Sequence, residues 1–111
     1  MKYHNKKTIV DGITFDSKLE AKRYKELKLL EKANLIEGLN LQPSFELIPT
    51  FKKNGKTFRS CKYKADFTYF DKEKKQQIVE DTKGMATRDY IIKKKLFEYT
   101  FPNLSIVEIK K

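Results

Sequence analysis

The first periodic pattern along the chain predicts an α-helix. Ser17-Lys-Leu-Glu20 matches a capping box, in which a serine side chain and a glutamate three residues later bond each other's backbone N–H groups. Tyr24, Leu27 and Leu30 then recur at the spacing of one helix face. We therefore expect a helix that starts after Ser17 and ends near Ala33.

A second helical pattern follows nearer the C-terminal end of the sequence. Thr87 is a suitable N-cap, and Ile92, Leu96 and Tyr99 recur at helical spacing. A proline three residues after Tyr99 cannot continue a helix. This pattern predicts a helix from Arg88 to about Tyr99, with Ile92, Leu96 and Tyr99 as its buried stripe.

The other apolar runs have the alternation and the turn signals of strands. Asp11-Gly12 and Asn54-Gly55 each separate two short runs and predict tight hairpins. The predicted extended segments are Thr8–Val10, Ile13–Phe15, Leu35–Leu41, Phe45–Phe51, Tyr63–Phe70, Gln77–Lys83 and Leu104–Ile109. Together with the helices, this order predicts one α/β (α+β) domain over residues 1–111. It would have a mixed sheet, two flanking helices and an N-terminal β-hairpin.

The excess of basic residues predicts that the protein binds a polyanion. The chain has 25 Lys+Arg against 15 Asp+Glu, and 13% aromatic residues, which is too aromatic for a disordered basic tail. The basic residues cluster in two places: Lys52, Lys53, Lys56, Arg59, Lys62 and Lys64 in one, and Arg88, Lys93, Lys94 and Lys95 in the other. Such patches attract nucleic-acid phosphates, although lysine-rich surfaces also keep small proteins soluble.

Composition also disfavours several classes of protein. No run of about 18 apolar residues predicts a transmembrane helix. The polar segment Met1–Asn5 predicts no secretory signal. A single Cys61 and one histidine argue against an internal disulfide and a structural zinc site. The expected compartment is therefore reducing and cytoplasmic.

The strongest candidate for chemistry is a pair of aspartates on neighbouring strands. With Phe70 opposite Gln77, Asp66 falls opposite Asp81, and Cβ atoms of such pairs are about 4.5–5.5 Å apart. Opposed like charges destabilise a sheet, whereas a Mg²⁺ ion between them would hold both. Lys83, two residues after Asp81, would share its face and help to orient or activate a water.

Two further points bear on this pair. The competing interpretation is that both aspartates are solvent-facing strand residues in weak ion pairs with nearby lysines. Strand alternation also predicts that Glu80 faces away from Asp81.

These residues resemble a known group of nucleases. Asp66, followed by Asp81-Thr82-Lys83 on the next strand, is similar to the motif of the PD-(D/E)xK nuclease superfamily. Glu20 matches an additional first-helix carboxylate of many members, and Ala65 stands where the motif has proline. The longer stretches at 11–24 and 79–84 are similar to small phage-encoded nuclease-like proteins that are often compared with Holliday-junction resolvases.

The resemblance implies a restriction-endonuclease-like αβββαβ core, dependence on Mg²⁺ or Mn²⁺, and a DNA phosphodiester substrate. Asp66 and Asp81 would hold the metal, and Lys83 would be the catalytic lysine. Glu20 would be a further ligand or a base that orients water. The alternative for Glu20 is a purely structural capping-box bond to the backbone of Ser17.

The implied function is a metal-dependent endonuclease of phage origin that acts on branched or structured DNA in recombination or replication. The candidate DNA-binding residues are Lys52, Lys53, Lys56, Arg59, Lys62, Lys64, Arg88, Lys93 and Lys94. A homodimer suits symmetric cutting of two strands, phage replication or recombination proteins are candidate partners, and no membrane is expected. The alternative is a catalytically inactive nucleic-acid-binding protein, or a phage adaptor or inhibitor, with a nuclease-like fold.

Overall fold

A computed structural model of the chain describes residues 7–82 and 87–110. The elements are β1 Thr8–Val10, β2 Ile13–Phe15, α1 Lys18–Lys32, β3 Ile36–Leu41, β4 Ser44–Ile48, β5 Phe51–Lys53, β6 Lys56–Phe58, β7 Cys61–Lys64, β8 Phe67–Asp71, β9 Gln76–Asp81, α2 Arg88–Thr100 and β10 Ile106–Glu108. This mixture of strands with two helices confirms the predicted α+β class. Among the described residues, no helix has the length and apolar character that crossing a membrane requires.

A four-stranded mixed sheet in the order β10-β9-β8-β3 forms the centre of the fold. β9 is antiparallel to β8 and parallel to β10, and β3 is antiparallel to β8. Phe70 lies opposite Gln77, as predicted, but the regular pairing ends at Phe67 and Glu80, one position before the predicted Asp66–Asp81 pair. The other strands form three two-stranded pairs, β1-β2, β4-β7 and β5-β6, the first of which is the predicted N-terminal hairpin.

The two helices cover separate hydrophobic clusters that are built from alternate residues of the sheet. Ile78 of β9 packs in one cluster with Leu27 of α1. Its neighbour Val79 packs in the other cluster with Phe97 of α2 and Ile106 of β10. Since successive strand residues point to opposite faces, the order of residues in β9 decides which side of the sheet each side chain reaches.

The predicted strand Tyr63–Phe70 is not continuous, because the chain breaks between β7 and β8. Tyr63 packs in the α2 cluster, whereas Phe67 and Tyr69 pack in the α1 cluster. Residues two apart would share a face in an unbroken strand, so the break reverses the alternation. The facing strand breaks at the same level, where Gln42 has a φ of 51° and donates its N–H to the Asp66 carbonyl at 2.8 Å.

Three boundaries also differ from the expected ones. The segment predicted as Phe45–Phe51 divides into β4 and β5, and a proline lies in the gap between them. β9 ends at Asp81, and Lys83 lies outside the described residues. The predicted last strand is shortened to Ile106–Glu108, after which the Ile109 N–H still donates to the Asp81 carbonyl at 2.8 Å.

The buried stripe of α2 was predicted on the wrong face. Ile92 and Tyr99 are 58% and 86% exposed, and Leu96 is half-buried. Tyr90 and Phe97 are buried instead. The reason is aromatic packing, because Phe97 meets the rings of β4 and β7 at centroid distances of 5.1 and 5.6 Å.

Candidate active site

Asp66 is held at the strand break by its backbone and by its side chain. Its N–H donates to the Glu80 carbonyl at 3.0 Å, where the regular pairing of β8 with β9 ends, and its carbonyl accepts from Gln42. Its Oδ2 accepts from the backbone N–H and from the hydroxyl of Thr82, each at 2.7 Å. The side chain is half-buried and is therefore fixed in place but still reaches solvent.

Asp81 is fully buried on the α2 side of the sheet. The Tyr63 hydroxyl donates to its Oδ2, and burial, followed by this hydrogen bond, raises the pKa of Tyr63. Tyr63 therefore stays protonated and remains a donor. This contact exists because the strand break turns Tyr63 toward the α2 side.

Glu20, in the first turn of α1, lies near Asp66. It is 3% exposed. Its N–H donates to the Ser17 hydroxyl at 3.1 Å, as a capping box requires, but its own Oε1 accepts from the N–H of Asp16 at 3.3 Å rather than from Ser17. Its Oε2 is buried and has no hydrogen bond of normal geometry within the described residues, although the Gln42 side chain lies nearby.

The electrostatics of Glu20 reflect this environment. Burial, and after it the negative charge of Asp66, raises the pKa of Glu20 to about 7. The Asp16 N–H and the Gln42 side chain oppose this shift. Glu20 and Asp66 are therefore close enough to disfavour simultaneous ionisation, which is the arrangement that a shared proton or a cation relieves.

Two parts of the expected site, the catalytic lysine and the metal ion, stay predictions. Lys83, the predicted catalytic lysine, lies outside the described residues. Within residues 7–82 and 87–110, no three Asp, Glu, His or Cys side chains are grouped so that they could hold a metal ion. The metal expected from the sequence therefore stays a prediction.

A cleft of about 290 Å³ opens beside Asp66, the one of the three candidate carboxylates that lines it in the described part of the chain. Asp66, Gln42 and Tyr63 line it, together with two of the predicted DNA-binding residues, Lys64 and Lys93. The Nζ of Lys93 also lies 3.6 Å from the Oδ2 of Asp89, one turn earlier in α2. Both lysines can therefore place positive charge next to Asp66, where a bound phosphate would need it.

The other predicted DNA-binding residues lie elsewhere. Lys52 and Lys53 are on β5, Lys56 is on β6, Arg59 follows β6, Lys62 is on β7, Arg88 begins α2, and Lys94 lies 3.7 Å from Glu98 on α2. The predicted DNA-binding residues thus form a pair at the cleft, a larger group on and next to the β5-β6 hairpin, and two further residues on α2.

Glu80 faces away from Asp81, as strand alternation predicted. Arg23 of α1 donates to both of its oxygens, from Nε at 2.8 Å and from Nη2 at 2.6 Å. The Tyr69 hydroxyl donates to the same carboxylate, which is 1% exposed. This buried ion pair joins α1 to β9 on the face of the sheet opposite to Asp81.

Sequence reasoning missed the groups that orient the aspartates, namely Tyr63, Thr82 and Gln42. Tyr63 and Thr82 read as ordinary strand residues, and nothing in the alternation revealed the reversal at Asp66. One usable signal was Gln42 directly before a proline, because that position disfavours regular helix and marks a bend in the chain.

A family model matches the chain along its whole length. Its description is "Protein of unknown function (DUF1064)", and the match covers residues 1–111, so the chain belongs to this family. No curated protein and no solved structure matches the chain. The chemistry of the site is therefore the basis for a functional proposal.

Proposed function

We propose that this member of the DUF1064 family is a metal-dependent endonuclease of the PD-(D/E)xK type, which hydrolyses phosphodiester bonds in branched or structured DNA. The observation that carries the proposal is that Glu20 and Asp66 lie close together. Asp81 is near in the fold as well, because it ends β9, the strand that pairs with β8 directly after Asp66. The buried Oε2 of Glu20 has no hydrogen bond of normal geometry among the described residues. Carboxylates gathered in this way favour a bound cation.

The order of elements along the central sheet supports the same proposal. α1, β3, β8, β9, α2 and β10 follow one another in the αβββαβ order that the resemblance implies. The β4-β7 and β5-β6 pairs are then an insertion between the first two core strands. In this interpretation the candidate site lies where β8 begins and β9 ends.

The donor set suits a hard divalent cation. All the candidate ligand atoms are carboxylate oxygens, which Mg²⁺ and Mn²⁺ prefer. Asp66 and Asp81 would hold the ion, and Glu20 would supply a further oxygen. Such an ion, when bound, stabilises negative charge on the attacked phosphate and lowers the pKa of the attacking water.

The side chains of the chain have distinct roles in this proposal. Glu20, with its pKa near neutrality, can accept a proton from water. Thr82 fixes the carboxylate of Asp66, and Lys64 and Lys93 hold a phosphate at the cleft. Lys83 is assigned as the catalytic lysine on the sequence alone, and it would stabilise charge on the phosphate.

A second function is a nucleic-acid-binding or adaptor protein with the same fold and no activity. The observation that favours it is the hydrogen bond from Tyr63 to Asp81, which occupies an oxygen that a metal site would use. Saturable binding of Mg²⁺ or Mn²⁺ distinguishes the two proposals, because only the nuclease requires it.

The decisive experiment is cleavage of linear duplex, flap, fork and four-way junction DNA with Mg²⁺, with Mn²⁺ and with EDTA. The wild type should cut at least one substrate in a metal-dependent way. Asp66→Asn and Asp81→Asn should each cut about 100-fold more slowly, equivalent to about 2.7 kcal/mol of barrier, and should still bind DNA. Glu46→Gln, which removes an exposed carboxylate on β4, is the matched control.

Two results would contradict the nuclease proposal. One is no cleavage of any substrate together with no saturable binding of either cation, which supports the binding protein. The other is an Asp81→Asn variant that cuts at the wild-type rate in a chelator-sensitive reaction.

A further inference from the structure

The β5-β6 hairpin is an exposed arm that extends from the β4-β7 pair. All six of its strand residues are exposed. At its base, the Ser60 N–H donates to the Thr50 hydroxyl at 3.1 Å. A two-stranded hairpin without a buried face is marginal by itself, so its side chains are available for a ligand rather than used in the core.

Two phenylalanines on this arm stack on each other, so each ring has one face against the other ring and one outer face. Phe51 and Phe58 are directly opposed, with ring centroids 4.9 Å apart and ring planes 10° from parallel. They remain 44% and 43% exposed. Large aromatic side chains exposed in this way bury little area with each other and commonly mark a binding surface.

Two lysines share that face of the arm. Lys53 and Lys56 are the next opposed pair on the same face, because side chains alternate along each strand. Opposed like charges destabilise a hairpin. Neither lysine forms an ion pair with an acidic side chain in the described part of the chain. The face therefore combines an aromatic surface with positive charge that has no acidic partner.

We infer that the arm binds unpaired nucleotides of single-stranded DNA. A base stacks on the Phe51–Phe58 pair, and the neighbouring phosphates bind Lys53 and Lys56. This combination of aromatic rings with cations is how proteins hold single strands without reading sequence. Bases within a duplex already stack on one another, so their faces are not available to the rings.

Charge favours this ligand over other partners for the arm. A second copy of the chain would bring the same basic face, from a protein of net charge +10, against itself. The inference rests on the proposed function only in its choice of DNA, because binding through the arm does not require cleavage.

The test measures binding of the full chain, in EDTA, to fluorescent oligo(dT) and to a duplex of equal length. Replacing both rings by leucine, Phe51→Leu with Phe58→Leu, keeps the apolar character and removes the π-faces. Oligo(dT) affinity should fall at least about fivefold, and duplex affinity should change less than about twofold. Phe51→Tyr with Phe58→Tyr should keep oligo(dT) affinity.

Two controls protect the interpretation. Tyr99→Ala removes an exposed aromatic ring from α2 and should leave both affinities unchanged. Thermal melting should show that the leucine variant folds like the wild type, since neither ring belongs to a buried cluster.

The inference is overturned by equal losses for oligo(dT) and duplex, or by no loss in the leucine variant. It is also overturned if sedimentation velocity shows a dimer that the leucine variant cannot form, because the rings then join two copies. Ring-dependent binding, with no cleavage of any DNA and no saturable binding of Mg²⁺ or Mn²⁺, would support the arm and refute the nuclease. Metal-dependent cleavage, with DNA binding that does not depend on the rings, would support the nuclease and refute the role of the arm.

Discussion

Thr82 donates two hydrogen bonds to one oxygen of Asp66, from its backbone N–H and from its hydroxyl, both at 2.7 Å. Thr82 is 8% exposed and directly follows Asp81. One residue therefore orients the first aspartate of the motif while its neighbour supplies the second. Thr82, the middle residue of Asp81-Thr82-Lys83, thus fixes the orientation of the Asp66 carboxylate.

Thr82→Val removes the hydroxyl bond to Asp66 and keeps the shape of the side chain. We expect the free energy of unfolding to fall by about 1.5–3 kcal/mol, the range for a lost hydrogen bond to a charged group. In a nuclease, kcat should fall at least tenfold while KM for DNA stays within about twofold, because Asp66 loses its orientation. Thr82→Ser keeps the hydroxyl and should restore most of kcat. Equal turnover in the valine and serine variants would assign Thr82 a packing role only.

The pH dependence of stability should reveal Glu20 in metal-free protein. Its pKa is about 7 in the folded state against an ordinary 4.5. The folded state therefore binds more protons between these values, and the stability that this group contributes is lost as pH rises from about 4.5 to about 7. We expect a loss of about 1–3 kcal/mol over this range, measured by urea unfolding in EDTA.

Glu20→Gln is the matched variant, because glutamine keeps an oxygen that can accept from the Asp16 N–H and cannot ionise. The wild-type minus variant difference in unfolding free energy should fall with pH between about 4.5 and 7 and then level off. Added Mg²⁺ should raise the melting temperature of the wild type more than that of the variant above pH 7. A pH-independent difference would mean that Glu20 has an ordinary pKa and is only a helix cap.

The sheet register could be predicted from the sequence, and the geometry of the site could not. Phe70 opposite Gln77 follows from two alternating runs and one polar turn, which are local signals. The reversal at Asp66 is matched by a distortion at Gln42, which lies between β3 and β4 and bonds the Asp66 carbonyl. No pattern within either strand contains that relationship, so the contact between Tyr63 and Asp81 was missed.

The helices show the same division between local and tertiary information. Ser17 caps α1 as predicted, because capping depends on residues three positions apart. The reciprocal bond predicted for the Glu20 side chain is replaced by one to the N–H of Asp16. On α2, the spacing of apolar residues predicted that Ile92 is buried. Packing against the aromatic residues of β4 and β7 buries Phe97 instead.

Arg23→Met should destabilise the fold strongly. Arg23 makes two hydrogen bonds to Glu80, which is 1% exposed, so the variant leaves a buried carboxylate without its cation. We expect a loss of about 3–5 kcal/mol in urea unfolding at neutral pH. Adding Glu80→Gln to Arg23→Met should recover part of that loss, because the uncompensated charge is removed. If Arg23→Met loses less than about 1 kcal/mol, the ion pair contributes little to the fold.

The basic arm should determine the salt dependence of duplex binding. Lys52, Lys53 and Lys56 are all exposed on the arm. Each phosphate contact contributes about 0.9 to the slope of log affinity against log salt concentration. Changing the three together to alanine should therefore reduce the magnitude of that slope by about 2–3 and weaken binding to all duplex sequences alike.

The matched control for the arm removes the same charge from another surface. Lys18, Lys22 and Lys25 are exposed on α1, and their triple alanine variant has the same net charge as the arm variant. If the arm contacts phosphates directly, only the arm variant changes the slope, because general attraction to a basic protein responds equally to both losses. Equal slopes in the two variants would place the duplex elsewhere, and Lys64 and Lys93 at the cleft would then be the next residues to change.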